Sequence, residues 1–127
     1  MELTQQELNL IRDYILLPVA ISIVNKNRLE IAESKDLLRS LYSSALLVIM
    51  TRMRNDLEDI RRQLKEMNIN VVDSRRTRVN DSEQYPYFVR GKRGDFSIRR
   101  DEIKAEVGRQ LGRYIADVTK PLGQVKV

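Results

Sequence analysis

From Leu46 the apolar residues Leu46, Met50, Met53, Leu57, Ile60, Leu64 and Met67 follow one another in steps of four, three, four, three, four and three. A spacing of 3.5 residues held over three heptads suits an α-helix that keeps one stripe against a partner. No strand tolerates it. The pattern predicts a long helix over about residues 35–68, with Ser34 as N-cap and Asp36 in the first turn, where the helix dipole favours an anion. Upstream, Leu37, Leu38, Leu41, Tyr42 and Ala45 form a wider apolar face suited to packing on the first helix. Beside the seam, Arg54–Glu58, Glu58–Arg62 and Arg62–Glu66 are four apart and can pair.

A first helix is expected before it. In Leu3-Thr4-Gln5-Gln6-Glu7-Leu8, Thr4 can accept from the Glu7 amide, Glu7 can reach back, and Leu3 can pack on Leu8. This is a capping box with a hydrophobic staple. Pro18 cannot donate to the carbonyl of Tyr14, so a kink or break is expected near residue 17, and Asn25-Lys26-Asn27 is the expected end.

After Met67 the period changes to two. Asn68 or Asn70 can take the left-handed conformation that closes a helix lacking Gly. Ile69 to Val79 reads as a strand, Asn80-Asp81-Ser82-Glu83 as a turn, and Gln84 to Arg90 as a second strand. Pro86 demotes that second strand towards an edge. Gly91-Lys92-Arg93-Gly94-Asp95 reads as a loop, with Phe96 and Ile98 available for a short third strand. A last helix over about 99–118 carries Ile103, Val107, Leu111, Tyr114, Ile115 and Val118. Its Gly108, Gly112 and Ala116 either admit another backbone closely or weaken an exposed helix. The expected fold is mainly α within a single domain, 1–127. It comprises a kinked N-terminal helix, the heptad helix, a small β-hairpin at about 69–90, a C-terminal helix, and a flexible tail at 119–127.

Charge divides the chain. Residues 1–70 hold ten Lys or Arg and ten Asp or Glu; residues 71–127 hold thirteen and eight, so the whole net charge of +5 lies in the second part. Arg75, Arg76, Arg78, Arg90, Lys92, Arg93, Arg99 and Arg100 sit in or beside the hairpin. Arginine forks onto phosphate, and Tyr85, Tyr87, Phe88 and Phe96 lie among these cations as a stacking surface would need. The outline is similar to the wing of winged-helix DNA-binding domains. However, the heptad helix stands where their recognition helix would precede the wing. The other reading makes the aromatics core and the arginines a solvated rim.

Catalytic residues are not expected. The chain has no His and no Cys, which removes the commonest general base, thiolates and disulfides. The carboxylate pairs Asp56/Asp59, Glu30/Glu33 and Asp101/Glu102 show no sign of desolvation, and Arg52, Arg54, Arg61 and Arg62 crowd the first. Ser43 and Ser44 lack a base. No metal, cofactor or small-molecule substrate is indicated. The acidic amino terminus and the short apolar run Tyr14–Val24, interrupted by Pro18, point to a soluble cytoplasmic protein without a membrane span.

A 34-residue helix is about 50 Å long, and residues 5–24 cover only half of it. Leu57, Ile60, Leu64 and Met67 therefore need the last helix, the hairpin or a second copy of the chain. A homodimer through the seam is favoured. The functional expectation is a non-enzymatic binding protein whose arginine-rich hairpin meets an acidic partner, most of all nucleic acid in a regulatory role. The alternative is an assembly or adaptor factor that binds protein only.

Overall fold

The computed structural model describes residues 3–73 and 76–123. Among these residues the chain forms three helices and a four-stranded antiparallel sheet: α1 (Gln5–Glu33), α2 (Arg39–Glu66), β1 (Ile69–Val71), β2 (Thr77–Val79), β3 (Ser82–Val89), β4 (Lys92–Arg99) and α3 (Arg100–Gly123). The mainly helical architecture with a minor sheet is the one the periodicities predict.

The capping box forms as read. The Glu7 amide donates to Thr4 Oγ1 and the Thr4 amide to Glu7 Oε1, both at 3.1 Å. Pro18 lies within α1 without breaking it. The end of α1 departs from expectation, since the helix runs past Asn25-Lys26-Asn27 to Glu33. Residues 26–33 include Lys, Arg, Leu, Glu and Ala, all good helix formers with no Gly or Pro among them. Ser34 belongs to the end of α1, not the start of α2. Its amide and hydroxyl both donate to the Ile31 carbonyl, at 3.1 and 2.7 Å. Asp36 shapes the link by accepting from the Leu38 amide at 2.8 Å, and α2 starts at Arg39 with no side-chain cap.

This short link makes α1 and α2 antiparallel neighbours, each about 43 Å long at 1.5 Å per residue. α1 therefore covers much more of α2 than a 20-residue helix could. The seam residues Met50, Met53, Leu57, Ile60 and Leu64 are buried within the single chain, while Leu46 and Met67 are partly buried against the same core. They meet Leu10, Ile11, Ile15, Leu16, Leu17, Ala20 and Val24 of α1, with Ile69 and Val71 of β1 and Val107 of α3 in the same cluster. The seam is the centre of the molecule's own core. The i,i+4 pairs expected beside it are replaced by i,i+3 pairs, Arg61–Glu58 at 3.4 Å and Arg62–Asp59 at 2.6 Å.

Asn68 closes α2 at φ 57°, the left-handed geometry expected of it. The sheet is larger than the hairpin read from the sequence. β3 pairs along one edge with β4, from Ser82↔Arg99 to Val89↔Lys92. Its other edge takes β1 at Val89–Tyr87 and β2 at Gln84–Ser82. Pro86 is therefore in the central strand and buried, contrary to its expected place near an edge. It lies opposite the gap between β1 and β2, where its carbonyl accepts from the Val72 amide at 2.8 Å. In a strand the N and O of one residue point to the same side, so its missing donor faces that gap and breaks no ladder bond.

The expected loop 91–95 is mostly strand. The true turn is Arg90-Gly91, with φ of 50° and 86°, the two positive values that a two-residue hairpin turn requires. β4 then alternates, with Phe96 and Ile98 buried and Arg93, Asp95 and Ser97 exposed. Gly94 stands opposite Tyr87, and the tyrosine ring occupies the space of a side chain there. Gly94→Val should cost about 1–2 kcal/mol by denaturant melting. Tyr87→Ala in the same chain should recover most of that loss, whereas equal losses in single and double variants would reject the overlap.

α3 extends beyond the expected 118 to Gly123; positions 124–127 of the expected tail lie outside the described residues. Gly108 and Gly112 face open space, so no other backbone of the chain approaches the small-residue stripe among the described residues.

Candidate functional site

The residues expected to contact an acidic partner separate into distinct roles. Arg75 lies outside the described residues. Tyr85 is only 6% exposed, faces the core opposite Phe96 and donates its hydroxyl to Glu83 Oε2 at 3.0 Å. It is a core residue, and burial pushes its phenol above the ordinary range. Tyr87 is partly buried over Gly94. The stacking platform imagined for these aromatics does not form on that face.

Most of the cations have internal partners. Arg76 bonds Tyr85, which with nearby Glu83 holds its guanidinium protonated more firmly. Arg78 approaches Glu83 at 3.8 Å, Arg93 approaches Asp95 at 3.7 Å, and Arg99 approaches Asp101 at 3.4 Å and Glu102 at 3.0 Å. Lys92 and Arg100 are exposed and make no ion pair among the described residues.

Arg90 is a structural clasp. Its guanidinium donates to Glu7 Oε2 at 2.9 Å and to the Met67 carbonyl at 3.2 Å, while its amide donates to the Asn68 carbonyl at 2.9 Å. One side chain thus ties the start of α1, the end of α2 and the β3–β4 turn. Glu7 is buried, and its carboxyl is held below the ordinary value by the Arg90 bond first, then by the Thr4 amide. Sequence reading counted Arg90 with the surface cations because nothing local shows that a residue 83 positions away waits for it.

The feature that sequence reading placed on the wrong side is the far end of the α1–α2 hairpin. No residue from 25 to 48 is buried. Leu37 is 95% exposed and Leu41 64%, and Leu29, Leu38, Tyr42, Leu47 and Val48 are also exposed. On α2 the residues Leu38, Leu41, Tyr42, Ala45 and Val48 repeat at three- and four-residue spacing, which makes a stripe along one side. They were expected to pack on α1. Leu37 and Leu41 stay largely exposed and Leu38 and Tyr42 about half so, because beyond the level of Val24 and Ile49 nothing among the described residues covers the outer side of the helix pair. Around the patch stand Lys26, Arg28, Lys35 and Arg39 against Glu30, Glu33 and Asp36, a rim of both signs.

Among the described residues no group of three His, Cys, Asp or Glu side chains could hold a metal ion. Of the carboxylates considered for catalysis, Asp59 is engaged with Arg62, Asp56 with the Tyr114 hydroxyl, and Asp101 and Glu102 with Arg99, while Glu30 and Glu33 are exposed on α1. No helix among the described residues is long and apolar enough to cross a membrane.

The molecule is thus a long helical hairpin braced by a third helix and a small sheet, with its apolar tip bare. It belongs to the YhjD protein family, whose model matches residues 2–119. No curated protein and no solved structure matches the chain.

Proposed function

We propose that the chain is a non-enzymatic binding protein that assembles as a homodimer through the tip of the α1–α2 hairpin. The bare leucines of that tip carry the reading. Soluble monomers rarely leave contiguous large apolar side chains in water, and such patches mark surfaces that meet something. A second copy suits this patch better than a strongly charged partner does. A two-fold interface sets a surface against itself, and a rim of four cations and three anions can be its own complement. Light scattering on the full chain tests it: a dimer mass at roughly tens of micromolar is expected, and a monomer mass would reject the assembly.

A second reading draws on Lys92, Arg93, Arg99 and Arg100, all exposed along β4 and its junction with α3. Nucleic acid is the acidic partner such a strip would meet, in a regulatory protein. Because Arg76, Arg78, Arg90, Arg93 and Arg99 already have carboxylate or core partners, few phosphates could be neutralised. The salt dependence of binding should accordingly be shallow, with a log–log slope of about −2 to −3 on duplex DNA. Arg99→Ala with Arg100→Ala should lower it further. No retention of DNA or RNA at low salt ends this reading.

A further inference from the structure

Among the described residues β4 is an open edge of the sheet. It runs for eight residues, Lys92–Arg99, and pairs with β3 alone, in step from Val89↔Lys92 to Ser82↔Arg99 without a bulge. In an antiparallel ladder the N–H and C=O of one residue point to the same side, and successive residues alternate. The Arg100 amide donates to the Asp81 carbonyl at 2.8 Å, just past the end of that register, so Lys92, Gly94, Phe96 and Ile98 also bond towards β3. Arg93, Asp95, Ser97 and Arg99 then turn their N–H and C=O groups outward, where nothing among the described residues meets them. All four are exposed.

A long edge is a template for another strand, and natural sheets blunt it with Pro, a bulge, a short strand or a covering segment. β4 shows none of these among the described residues; its guard is charge, mostly of one sign. Over residues 92–100 stand the cations Lys92, Arg93, Arg99 and Arg100 against Asp95 alone. Arg93 approaches Asp95 at 3.7 Å, and Arg99 is shared by Asp101 and Glu102. Lys92 and Arg100, at the two ends, make no ion pair among the described residues. This charge selects the occupant. A second copy laid antiparallel along the whole edge, centred on Phe96, would set Arg93 against Arg99 and Lys92 against Arg100, like charges directly opposite. A strand bearing carboxylates meets the same cations favourably.

We infer that β4 takes up an extended acidic peptide segment of another protein as an added strand. Main-chain bonds to Arg93, Asp95, Ser97 and Arg99 hold the segment, and a carboxylate near each of its ends reaches Lys92 or Arg100. The inference uses cations that the nucleic-acid reading also draws on, but it requires backbone groups that nucleic acid would leave idle. It does not depend on the dimer, since β4 and the hairpin tip share no residue.

A fluorescent peptide as long as β4, with Glu at each end and alternating Val and Thr between, tests the edge on the full chain. Anisotropy should show saturable binding in the high micromolar range. Hydrogen exchange should slow about tenfold or more at the amides of Arg93, Asp95, Ser97 and Arg99 and stay unchanged at those of Lys92, Gly94, Phe96 and Ile98. Replacing both peptide Glu by Lys should weaken binding about tenfold or more. Ser97→Pro removes an outward N–H and breaks no bond to β3, so the variant should fold and lose affinity by about tenfold. A peptide N-methylated at the amides that face β4 should fail to the same extent on the wild-type chain, which keeps the test intact should Ser97→Pro unfold. The inference is overturned by the absence of saturable binding at millimolar peptide, or by outward amides that do not slow. Undiminished binding by Ser97→Pro or by the N-methylated peptide also overturns it. So does duplex DNA held equally by wild type and Ser97→Pro while the peptide stays unbound, which would give the strip to nucleic acid.

Discussion

Changing Leu37 and Leu41 together to Glu should leave a folded monomer. Each leucine buried in an interface contributes about 1.5–3 kcal/mol, and a two-fold contact counts both residues twice. After allowance for partial burial and for the entropy of association, about 4 kcal/mol is lost, or roughly a thousandfold in dissociation constant. The introduced carboxylates also repel across a two-fold axis. Because Leu37 and Leu41 are 95% and 64% exposed within one chain, the monomer loses almost no packing. Its melting curve at low concentration should match that of the wild type. Sedimentation decides: a double variant with the wild-type mass means the tip is not the contact. A change made in the seam, such as Leu57→Lys, should instead unfold the chain, since Leu57 is inside it. The two variants together separate an interface from a core.

Arg90→Ala should cost about 2–3 kcal/mol, measured by denaturant unfolding. The substitution strands the Glu7 carboxylate in a buried place with only its capping bonds. Arg90 also sits at positive φ, where its side chain gains nothing sterically. Arg90→Gly relieves that backbone cost and still loses the clasp, so it should be less destabilised than Arg90→Ala. A double-mutant cycle with Glu7→Gln isolates the pair. Acid provides an independent check. The folded Glu7 carboxyl lies below the ordinary 4.5, so its contribution is complete above that value and disappears as pH falls through the folded one. Wild-type stability should therefore drop more steeply than that of Arg90→Ala between about pH 5 and 3. Parallel curves would show that the pair contributes nothing.

Local chemistry was legible wherever the partners lie within a few residues. The Thr4–Glu7 capping box, the Asn68 helix end and the heptad helix all follow from spacing alone, and each forms. The failures are long-range. α1 passes the Asn25-Lys26-Asn27 segment because helix formers follow it, and its greater length removed the premise that the seam needed a second chain. β4 was hidden because Gly94, which weakens a strand, is filled by the Tyr87 ring across the ladder. Pro86 was assigned to an edge by a rule that holds for continuous neighbours, and here the neighbouring strand is interrupted opposite it. Of the candidate surface, Arg93, Arg99, Arg100 and Lys92 lie outside as read. Tyr85 is buried in the core opposite Phe96, and Arg90, although exposed, is held by Glu7 of α1. Asp56 and Asp59 stood out as a pair by spacing, but that α1 and α3 bring Asp13, Gln110 and Asp117 beside them left no trace in the sequence, since those residues come from three different helices.

The arrangement of contacts also sets a kinetic expectation. Residues 5–66 and residues 82–99 are each a hairpin of sequence neighbours, one helical and one extended, and either can close with little loop entropy. What joins them is non-local, and the Glu7–Arg90 bond spans 83 positions. Docking of the two preformed hairpins should then be the late event, completed after the rate-limiting barrier. Under that order, Arg90→Ala accelerates unfolding while leaving the refolding limb of a chevron almost unmoved. The clasp that locates the sheet on the helices governs how long the native state lasts more than how quickly it is reached.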